Sequence, residues 1–225
     1  ALVIWKCQVF QNYLKALYYI CNDGEAAAST NAISARMETS AASVSDMIKR
    51  LADKDLVIYE KYKGAFLSKK GEIIAVGLVR KHRLWEFFLV DKLGFRWDQV
   101  HEVAEQLEHV KSPELILKLD QFLGFPKSDP HGDPIPDAAG NIQRLALKKL
   151  SSFSENDELI LMGVSDSSVE FLQYLNQQGL NLGAKVKLGS KFPFDQSQEL
   201  HLENKLKVVI SLHVANSLLV KKVNS

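Results

Sequence analysis

The chain has 225 residues, of which 46% are hydrophobic, and its 28 lysines and arginines nearly balance 27 aspartates and glutamates. This composition suits one large or two small domains and argues against a disordered, collagen-like or disulfide-stapled chain. No window approaches 18 uncharged apolar residues, and the two cysteines have no zinc-finger or redox spacing, so we expect a soluble cytoplasmic protein without a membrane partner. The net charge of +1 does not by itself favour nucleic-acid binding, which would have to come from local placement of charge.

The first 123 residues have the apolar spacing of successive helices, with one β-hairpin between them. Helices are predicted over residues 12–21, 30–37, 41–54, 71–93, 97–108 and 112–123, and the hairpin strands over residues 56–62 and 65–68. Asn22-Asp23-Gly24 would end the first helix, and Thr39-Ser40 would supply the N-cap of the third. One apolar stripe of the third helix is expected to face the interior, formed by Val44, Met47, Ile48 and Leu51.

Proline marks the main boundary in the chain. Four of the six prolines lie within eleven residues, together with three nearby glycines, in the stretch GFPKSDPHGDPIPDAAGN. Such a stretch cannot be a helix or a central strand, so residues 124–149 are predicted to be a linker. Beyond it, short strands are predicted over residues 158–164, 184–188, 199–202, 207–212 and 218–223, with one helix over residues 168–178. One helix among about five short strands indicates a small SH3-like β-barrel.

The second and third helices and the hairpin follow the order of a winged helix-turn-helix. A recognition helix enters the major groove, so its leading turn needs small or polar side chains, as residues 40–46 provide. Residues 44–70 carry seven lysines and arginines against four acids, a surplus where phosphates would lie. The candidate DNA contacts are Ser40, Ala42, Ser43 and Asp46 in the recognition helix, Lys49 and Arg50 near the phosphates, and Lys61 and Lys63 on the wing. The alternatives are an ordinary solvated face and a protein-binding module.

Histidines and carboxylates cluster between residues 81 and 110. Three of the six histidines lie there, each with a carboxylate adjacent or one helical turn away. The ligand-type residues are His82 and Glu86 on one predicted helix and His101, Glu105, Glu108 and His109 on one face of the next. Residues 98–110 contain four acids and no base, so this face favours a cation, and mixed ligands suit divalent manganese, iron, cobalt, nickel or zinc. The alternative is a solvent-facing acidic stripe whose histidines make local hydrogen bonds.

These motifs resemble those of the diphtheria-toxin-repressor/MntR family of metal-dependent transcriptional repressors, over nearly the whole chain. The similarity begins at NYLKALYYI and runs through AISARMETSAASVSDMIKRLADKDLV and the wing IYEKYKGAFLSKKG. It is greatest at RKHRLWEFFLVDKLGF and QVHEVAEQLEHVKSPEL. The resemblance implies an α+β chain of four parts: a winged helix-turn-helix DNA-binding domain over residues 1–70, a helical metal-binding and dimerisation domain over residues 71–123, the linker over residues 124–149, and an SH3-like (FeoA-like) domain over residues 150–225.

The resemblance also implies two metal sites. The first is built from a histidine and a glutamate on one helix and a histidine on the next, matching His82, Glu86 and His101. The second, activating site matches Asn12, Glu105, Glu108 and His109. The family's C-terminal domain can add a ligand to the first site, for which Glu170 is the best match and Asp166 the second choice.

Two residues depart from the family pattern. Asn12 stands where members often have Met or Asp, and Lys15 stands where manganese-type members can have Glu. Glu105 replaces a cysteine that some members carry, and this loss of a soft ligand favours Mn²⁺, followed by Fe²⁺. Zn²⁺, Co²⁺ or Ni²⁺ could substitute in vitro.

The function implied by the resemblance is that of a homodimeric, metal-activated repressor that is not an enzyme. It would bind a palindromic double-stranded DNA operator and control genes of manganese or iron uptake and homeostasis. A bound cation would fix the spacing of two recognition helices to match half-sites about 34 Å apart or a multiple of it, with the 112–123 helix at the dimer contact. Two alternatives are a winged-helix regulator that responds to a non-metal ligand and a His/Glu metalloenzyme with an open coordination position.

Overall fold

The structure, a computed structural model, describes residues 2–21, 27–203 and 206–223. Its helices are α1 (Leu2–Ile20), α2 (Thr30–Arg36), α3 (Ala41–Ala52), α4 (Lys69–Leu93), α5 (His101–Leu107), α6 (Pro113–Phe122), α7 (Val169–Gln178) and α8 (Leu212–Ser217). Its strands are β1 (Val57–Glu60), β2 (Gly64–Leu67), β3 (Lys148–Lys149), β4 (Glu158–Val164), β5 (Lys185–Lys191), β6 (Gln198–Leu202), β7 (Lys207–Ile210) and β8 (Leu218–Lys222). Within the described ranges, no helix has the length and apolar character needed to cross a membrane.

The chain separates into two units. Unit 1 comprises the residues up to 82 together with residues 106–118 and 136–142, and unit 2 comprises residues 83–105, 119–135 and 143 onward. The predicted four-part division of the chain stays a prediction. The predicted end of the first helix at Asn22-Asp23-Gly24 lies outside the described residues.

Unit 1 is built around α1 and the helix-turn-helix. Ser29 and Ser40 cap α2 and α3, because each hydroxyl accepts a hydrogen bond from the backbone N–H three residues later. The buried stripe of α3 joins residues of α1 in one core, with members that include Leu14, Leu17, Val44, Ile48 and Leu51. β1 and β2 form the antiparallel wing, paired from Val57↔Leu67 to Glu60↔Gly64. The predicted winged helix-turn-helix is therefore present.

Unit 2 contains one six-stranded antiparallel sheet in the order β3-β8-β4-β5-β6-β7. Alternate strand residues turn inward, as in β6, where Leu200 is buried between half-buried neighbours. Leu172 and Leu175 of α7 belong to the same core as the inward strand residues. The predicted α+β fold class, with helices followed by a small β domain, is confirmed.

The prediction missed one helix in unit 2. A strand was expected over residues 207–212, but β7 ends at Ile210 and α8 begins at Leu212. Ser211 caps α8, since its hydroxyl accepts a hydrogen bond from the Val214 N–H at 3.3 Å. The segment LHVAN has apolar residues at three of five positions, a pattern that fits a short helix as well as a strand, so periodicity alone could not separate the two.

The helix predicted over residues 97–108 is shorter than expected. Asn176 accepts a hydrogen bond from the Trp97 indole at 2.8 Å, and Asp98 is bound by Arg96 and Gln173, so residues 97–100 form a turn before α5. Helix α5 ends at Leu107. The expectation that Glu108 and His109 share a helix face with His101 is therefore wrong.

The proline-rich segment is packed against α4. Arg80 donates a hydrogen bond to the carbonyl oxygen of Pro136, and Arg83 donates one to that of Pro134. The segment has no helix or strand before β3, yet Asp129 and His131 are 4% and 6% exposed. These residues are buried parts of the structure, in a stretch that the sequence indicated only as linker.

Candidate metal centre and nucleic-acid interface

The recognition helix α3 turns its predicted DNA contacts to solvent. Ala42, Ser43, Asp46, Lys49 and Arg50 are exposed, whereas Val44, Ile48 and Leu51 on the other side are buried. A helix that buries one stripe and exposes a small leading turn can approach the floor of a major groove. Ser40 is exposed as well, and its hydroxyl is 2.9 Å from that of Ser43.

Neighbouring acids offset part of the basic charge at this surface. Arg50 lies 2.7 Å from Asp46, and Lys63 lies 2.6 Å from Glu60 on the wing. Lys61 stacks over the ring of Tyr62, which is 92% exposed at the wing tip. The exposed lysines of α3 and the wing therefore give a moderately basic surface, consistent with phosphate contacts that depend on salt.

A first group of ligand-type residues surrounds Glu86 in unit 2, and we call Glu86, His101, Asp129 and His131 the Glu86 cluster. Glu86 is 2% exposed. Its Oε1 is 3.3 Å from Nδ1 of His101, and its Oε2 is 3.6 Å from Nδ1 of His131. Asp129 Oδ1 is 3.9 Å from the same His131 nitrogen. One buried carboxylate thus lies between two imidazoles and beside a second carboxylate.

His131 is held in a single orientation. Its Nε2 is 2.9 Å from the carbonyl oxygen of Trp97, which can only accept, so Nε2 carries a proton and Nδ1 faces the carboxylates. Burial alone would lower the pKa of His131, but Glu86 and Asp129 outweigh it and raise the pKa to about 9. Burial and the charge of Glu86 raise the pKa of Asp129 to about 7. Both shifts show concentrated negative charge at Glu86, which a cation would relieve.

The second group lies in unit 1, and we call Lys15, His82 and Glu108 the Glu108 cluster. Lys15 of α1 places its Nζ 2.8 Å from Oε1 and 2.7 Å from Oε2 of Glu108. His82 places its Nδ1 2.6 Å from Oε2. Burial alone would raise the pKa of Glu108, but the hydrogen bond from His82 and the charge of Lys15 hold it below its usual value. Glu108 is therefore an ionised carboxylate with a partner at each oxygen.

The remaining predicted ligands lie partly at the edges of the two clusters, since Nε2 of His109 is 3.9 Å from Oε1 of Glu108. Nδ1 of His109 is 2.9 Å from Oε1 of Gln11, and Oε1 of Glu105 is 3.7 Å from Nε2 of His101. Oδ1 of Asn12 is buried and finds no hydrogen-bond partner among the described residues. Glu170 is exposed in the first turn of α7, and the described part of the chain does not place it in either cluster. The assignment of these residues as metal ligands stays a prediction.

The two groups differ in their fit to a divalent cation. Glu86 offers a buried carboxylate and His101 a largely exposed imidazole, a donor set that suits manganese, iron or zinc. His82, the other ligand that the sequence predicts for this site, precedes Glu86 by one turn of α4. Around Glu108 the fit fails, because the Lys15 ammonium already contacts both carboxylate oxygens. Sequence reasoning missed Asp129 and His131, although a histidine and three acids in a proline-rich stretch were a usable signal.

Comparison with known proteins identifies the family. A family profile described as "Iron dependent repressor, N-terminal DNA binding domain" matches residues 7–65, and one described as "Iron dependent repressor, metal binding and dimerisation domain" matches residues 68–137. A solved structure of a manganese-dependent transcriptional repressor in complex with manganese is 32% identical to this chain and has a TM-score of 0.81. The match covers 95% of this chain and 99% of that chain. The chain belongs to the diphtheria-toxin-repressor family of metal-dependent repressors. The resemblance deduced from the sequence motifs is confirmed.

Curated relatives of this repressor-family chain match it over part of their length. The iron-dependent repressor IdeR of Mycobacterium leprae is 34% identical over 124 residues, which are 55% of this chain and 54% of that protein. A probable metal transport system membrane protein of Chlamydia trachomatis is 49% identical over 70 residues, which are 31% of this chain and 16% of that protein. The chain thus spans about half the length of the curated repressors it matches.

Proposed function

We propose that this chain is a divalent-metal-dependent transcriptional repressor that acts as a homodimer on a palindromic DNA operator. One observation carries the proposal: this chain, a member of the family, has both an exposed recognition helix and the buried Glu86 cluster. Neither feature alone requires the function. Together they supply a DNA-reading surface and a charge centre that responds to a cation.

The Glu86 cluster is the proposed metal centre. Glu86 and His101 would hold the ion, with His82 as the third ligand implied by the family. A divalent ion supplies charge compensation there. Without it, Glu86 depends on a protonated His131 and on its neighbours, since Asp129 adds a second buried negative charge. Compensation would favour the arrangement in which α4, α5 and the proline-rich segment all contact Glu86.

The proposed DNA reader is α3 with the wing. Ser43 and Asp46 would face base edges, while Lys49, Arg50 and Lys63 would contact phosphates. Two copies related by a two-fold axis would read half-sites separated by about one helical turn, roughly 34 Å, or a multiple of it. Because metal and DNA would favour the same arrangement, each would raise the affinity for the other.

The α6 helix is the proposed dimer contact. Leu115, Leu117 and Phe122 are 40%, 56% and 64% exposed, whereas Ile116 and Leu119 are buried. Exposed apolar side chains on a helix that also contributes to the core are typical of a surface covered by a partner. The match of residues 68–137 to a metal-binding and dimerisation domain supports this assignment.

Manganese is the favoured ion and iron the next. The proposed ligands offer oxygen and imidazole donors, and the described Cys21 is buried with its thiol 3.7 Å from the carbonyl oxygen of Ala65. Oxygen donors suit Mn²⁺ and Fe²⁺, although zinc, cobalt or nickel could bind the same set in vitro. The similar proteins include one named for manganese and one named for iron. The proposed targets are genes of metal uptake and homeostasis, a choice supported by the metal-transport name of the chlamydial relative.

DNA selection from a random double-stranded library tests the proposal. Wild type is run at fixed salt with chelator, Mn²⁺, Fe²⁺ or Zn²⁺, beside Glu86→Gln and the exposed control Glu102→Gln. We expect DNA retention only with metal, loss of that retention in Glu86→Gln, and wild-type behaviour in Glu102→Gln. Equal binding in chelator would replace the proposal with a regulator that responds to a non-metal ligand. No DNA binding under any condition would refute the repressor function.

A further inference from the structure

We infer that the Lys15 ammonium group is the resident cation of the Glu108 cluster, so that no divalent metal ion binds at Glu108 in this chain. The inference rests on the proposed function, because it states how many metal ions the repressor uses. It assigns Glu108 a different role from the ligand role that the family resemblance implies.

The contacts of Glu108 place a cationic or imidazole group beside each of its carboxylate oxygens, including Nε2 of His109 at 3.9 Å from Oε1. Oε1 accepts a hydrogen bond from Lys15, and Oε2 accepts one from Lys15 and one from His82. A metal ion would need to lie roughly 2 Å from one of these oxygens, closer than the ammonium nitrogen now lies. An ion at that distance would lie beside the Lys15 ammonium group, and the two positive charges would repel each other unless Lys15 withdrew.

Withdrawal of Lys15 is unfavourable. The residue is 8% exposed, and Glu108 is 0% exposed, so separation would leave a buried charge without its partner. Breaking a buried ion pair by removing one member is strongly destabilising because the remaining charge is uncompensated. Lys15 lies on α1, and its ammonium group is held by the hydrogen bonds to both oxygens of Glu108.

Glu108 instead orients His82. An ionised carboxylate only accepts, so the Nδ1 of His82 carries the proton that it donates to Glu108. In the neutral imidazole the lone pair of His82 therefore lies on Nε2, which is the nitrogen that would bind a metal. Carboxylates that orient a ligating imidazole in this way raise its basicity and fix its tautomer. Glu108 is thus a positioning residue for His82, and Lys15 neutralises it without an ion.

Counting bound metal tests the inference in the full chain. Mn²⁺ bound per chain is measured by equilibrium dialysis with elemental analysis, and spin coupling between neighbouring ions by electron paramagnetic resonance. Wild type should bind one Mn²⁺ in the pair of sites that the family implies. Lys15→Glu should bind a second, because it replaces the ammonium with a carboxylate next to Glu108, whose Oε1 is 3.9 Å from Nε2 of His109. The control Lys187→Glu makes the same charge change at an exposed lysine of β5 and should match wild type.

A second variant decides the question if Lys15→Glu does not fold. In Glu108→Gln the number of bound Mn²⁺ ions should stay as in wild type, while the affinity falls about 10- to 100-fold, as for loss of a group that orients a ligand. A wild-type Mn²⁺ ion that disappears in Glu108→Gln but persists in Glu86→Gln would overturn the inference and leave the proposed function intact. Wild type without any bound Mn²⁺, Fe²⁺ or Zn²⁺ would overturn the proposed function itself.

Discussion

Gly132 offers a sharp test of how the proline-rich segment is held. Its φ is +91°, in the region that disfavours side chains, and a Cβ added there would lie 2.2 Å from the carbonyl oxygen of Met162 and 2.4 Å from Cα of Gly163. Next to it, the His131 carbonyl oxygen accepts a hydrogen bond from the Val164 N–H at 3.0 Å. The segment therefore contacts the backbone of β4 directly, and Gly132→Ala should force the two apart.

The size of the effect follows from two contributions. Left-handed backbone costs a residue with a side chain roughly 1–2 kcal/mol, and pushing an extra methyl into a packed site typically costs about 1–3 kcal/mol. Gly132→Ala should therefore destabilise unit 2 by about 2–5 kcal/mol in total. Gly183 is the matched control, because its φ is +83° but an added Cβ would meet nothing within 4 Å. Gly183→Ala should show only the backbone contribution.

Urea unfolding followed by circular dichroism measures both variants against wild type in chelator. The free energy of unfolding should fall more for Gly132→Ala than for Gly183→Ala, with the difference reporting the contact with β4. Mn²⁺ affinity should also fall in Gly132→Ala alone, because the displaced segment carries His131 beside Glu86. Equal destabilisation by the two substitutions would show that the contact with β4 adds nothing to the free energy of unfolding, and would refute the prediction.

Three further predictions concern the core, the DNA surface and pH. Leu175→Ala should lower the free energy of unfolding by about 2–5 kcal/mol, because the side chain is fully buried, whereas Leu145→Ala at an exposed position should change it little. Lys49→Ala should weaken all DNA binding and flatten the dependence of log affinity on log salt by about 0.9 for each bound protomer; an unchanged slope would show that Lys49 does not contact phosphate. Burial would raise the pKa of Asp98, but hydrogen bonds from Arg96 and others lower it. The stabilisation that Asp98 gives the folded state is therefore fully present above an unfolded aspartate's pKa of about 3.9 and is lost as pH falls through the lower folded pKa. In acid unfolding curves, Asp98→Asn should lose less stability over this pH range than wild type does.

Local patterns in the sequence were enough to predict most of the fold. The stripe at Val44, Ile48 and Leu51 and the cap at Ser40 are properties of one helix, so spacing and cap chemistry located α3 closely. The strand β4 was predicted with the bounds it has, because its apolar run is flanked by polar turns. In these elements local preference and tertiary packing agree.

The candidate site was predicted less completely because its groups come from distant segments. Lys15 and Glu108 are 93 positions apart, and no spacing rule joins them. The start of α5 was misjudged because Asn176, 79 positions after Trp97, binds the indole and holds the turn. His131 was missed because its burial depends on packing of an irregular segment, which periodicity does not describe.

The buried Lys15–Glu108 pair also marks a position where apolar side chains would make the folded state more stable than the residues present. Exchanging such a pair for apolar side chains of similar volume is often neutral or stabilising, by about 1–4 kcal/mol. A double variant with methionine at Lys15 and leucine at Glu108 could therefore resist urea better than wild type. It would leave the imidazole of His82 without the acceptor that fixes its proton. A screen for thermal stability alone would then select variants that bind the metal ion more weakly, by about 10- to 100-fold.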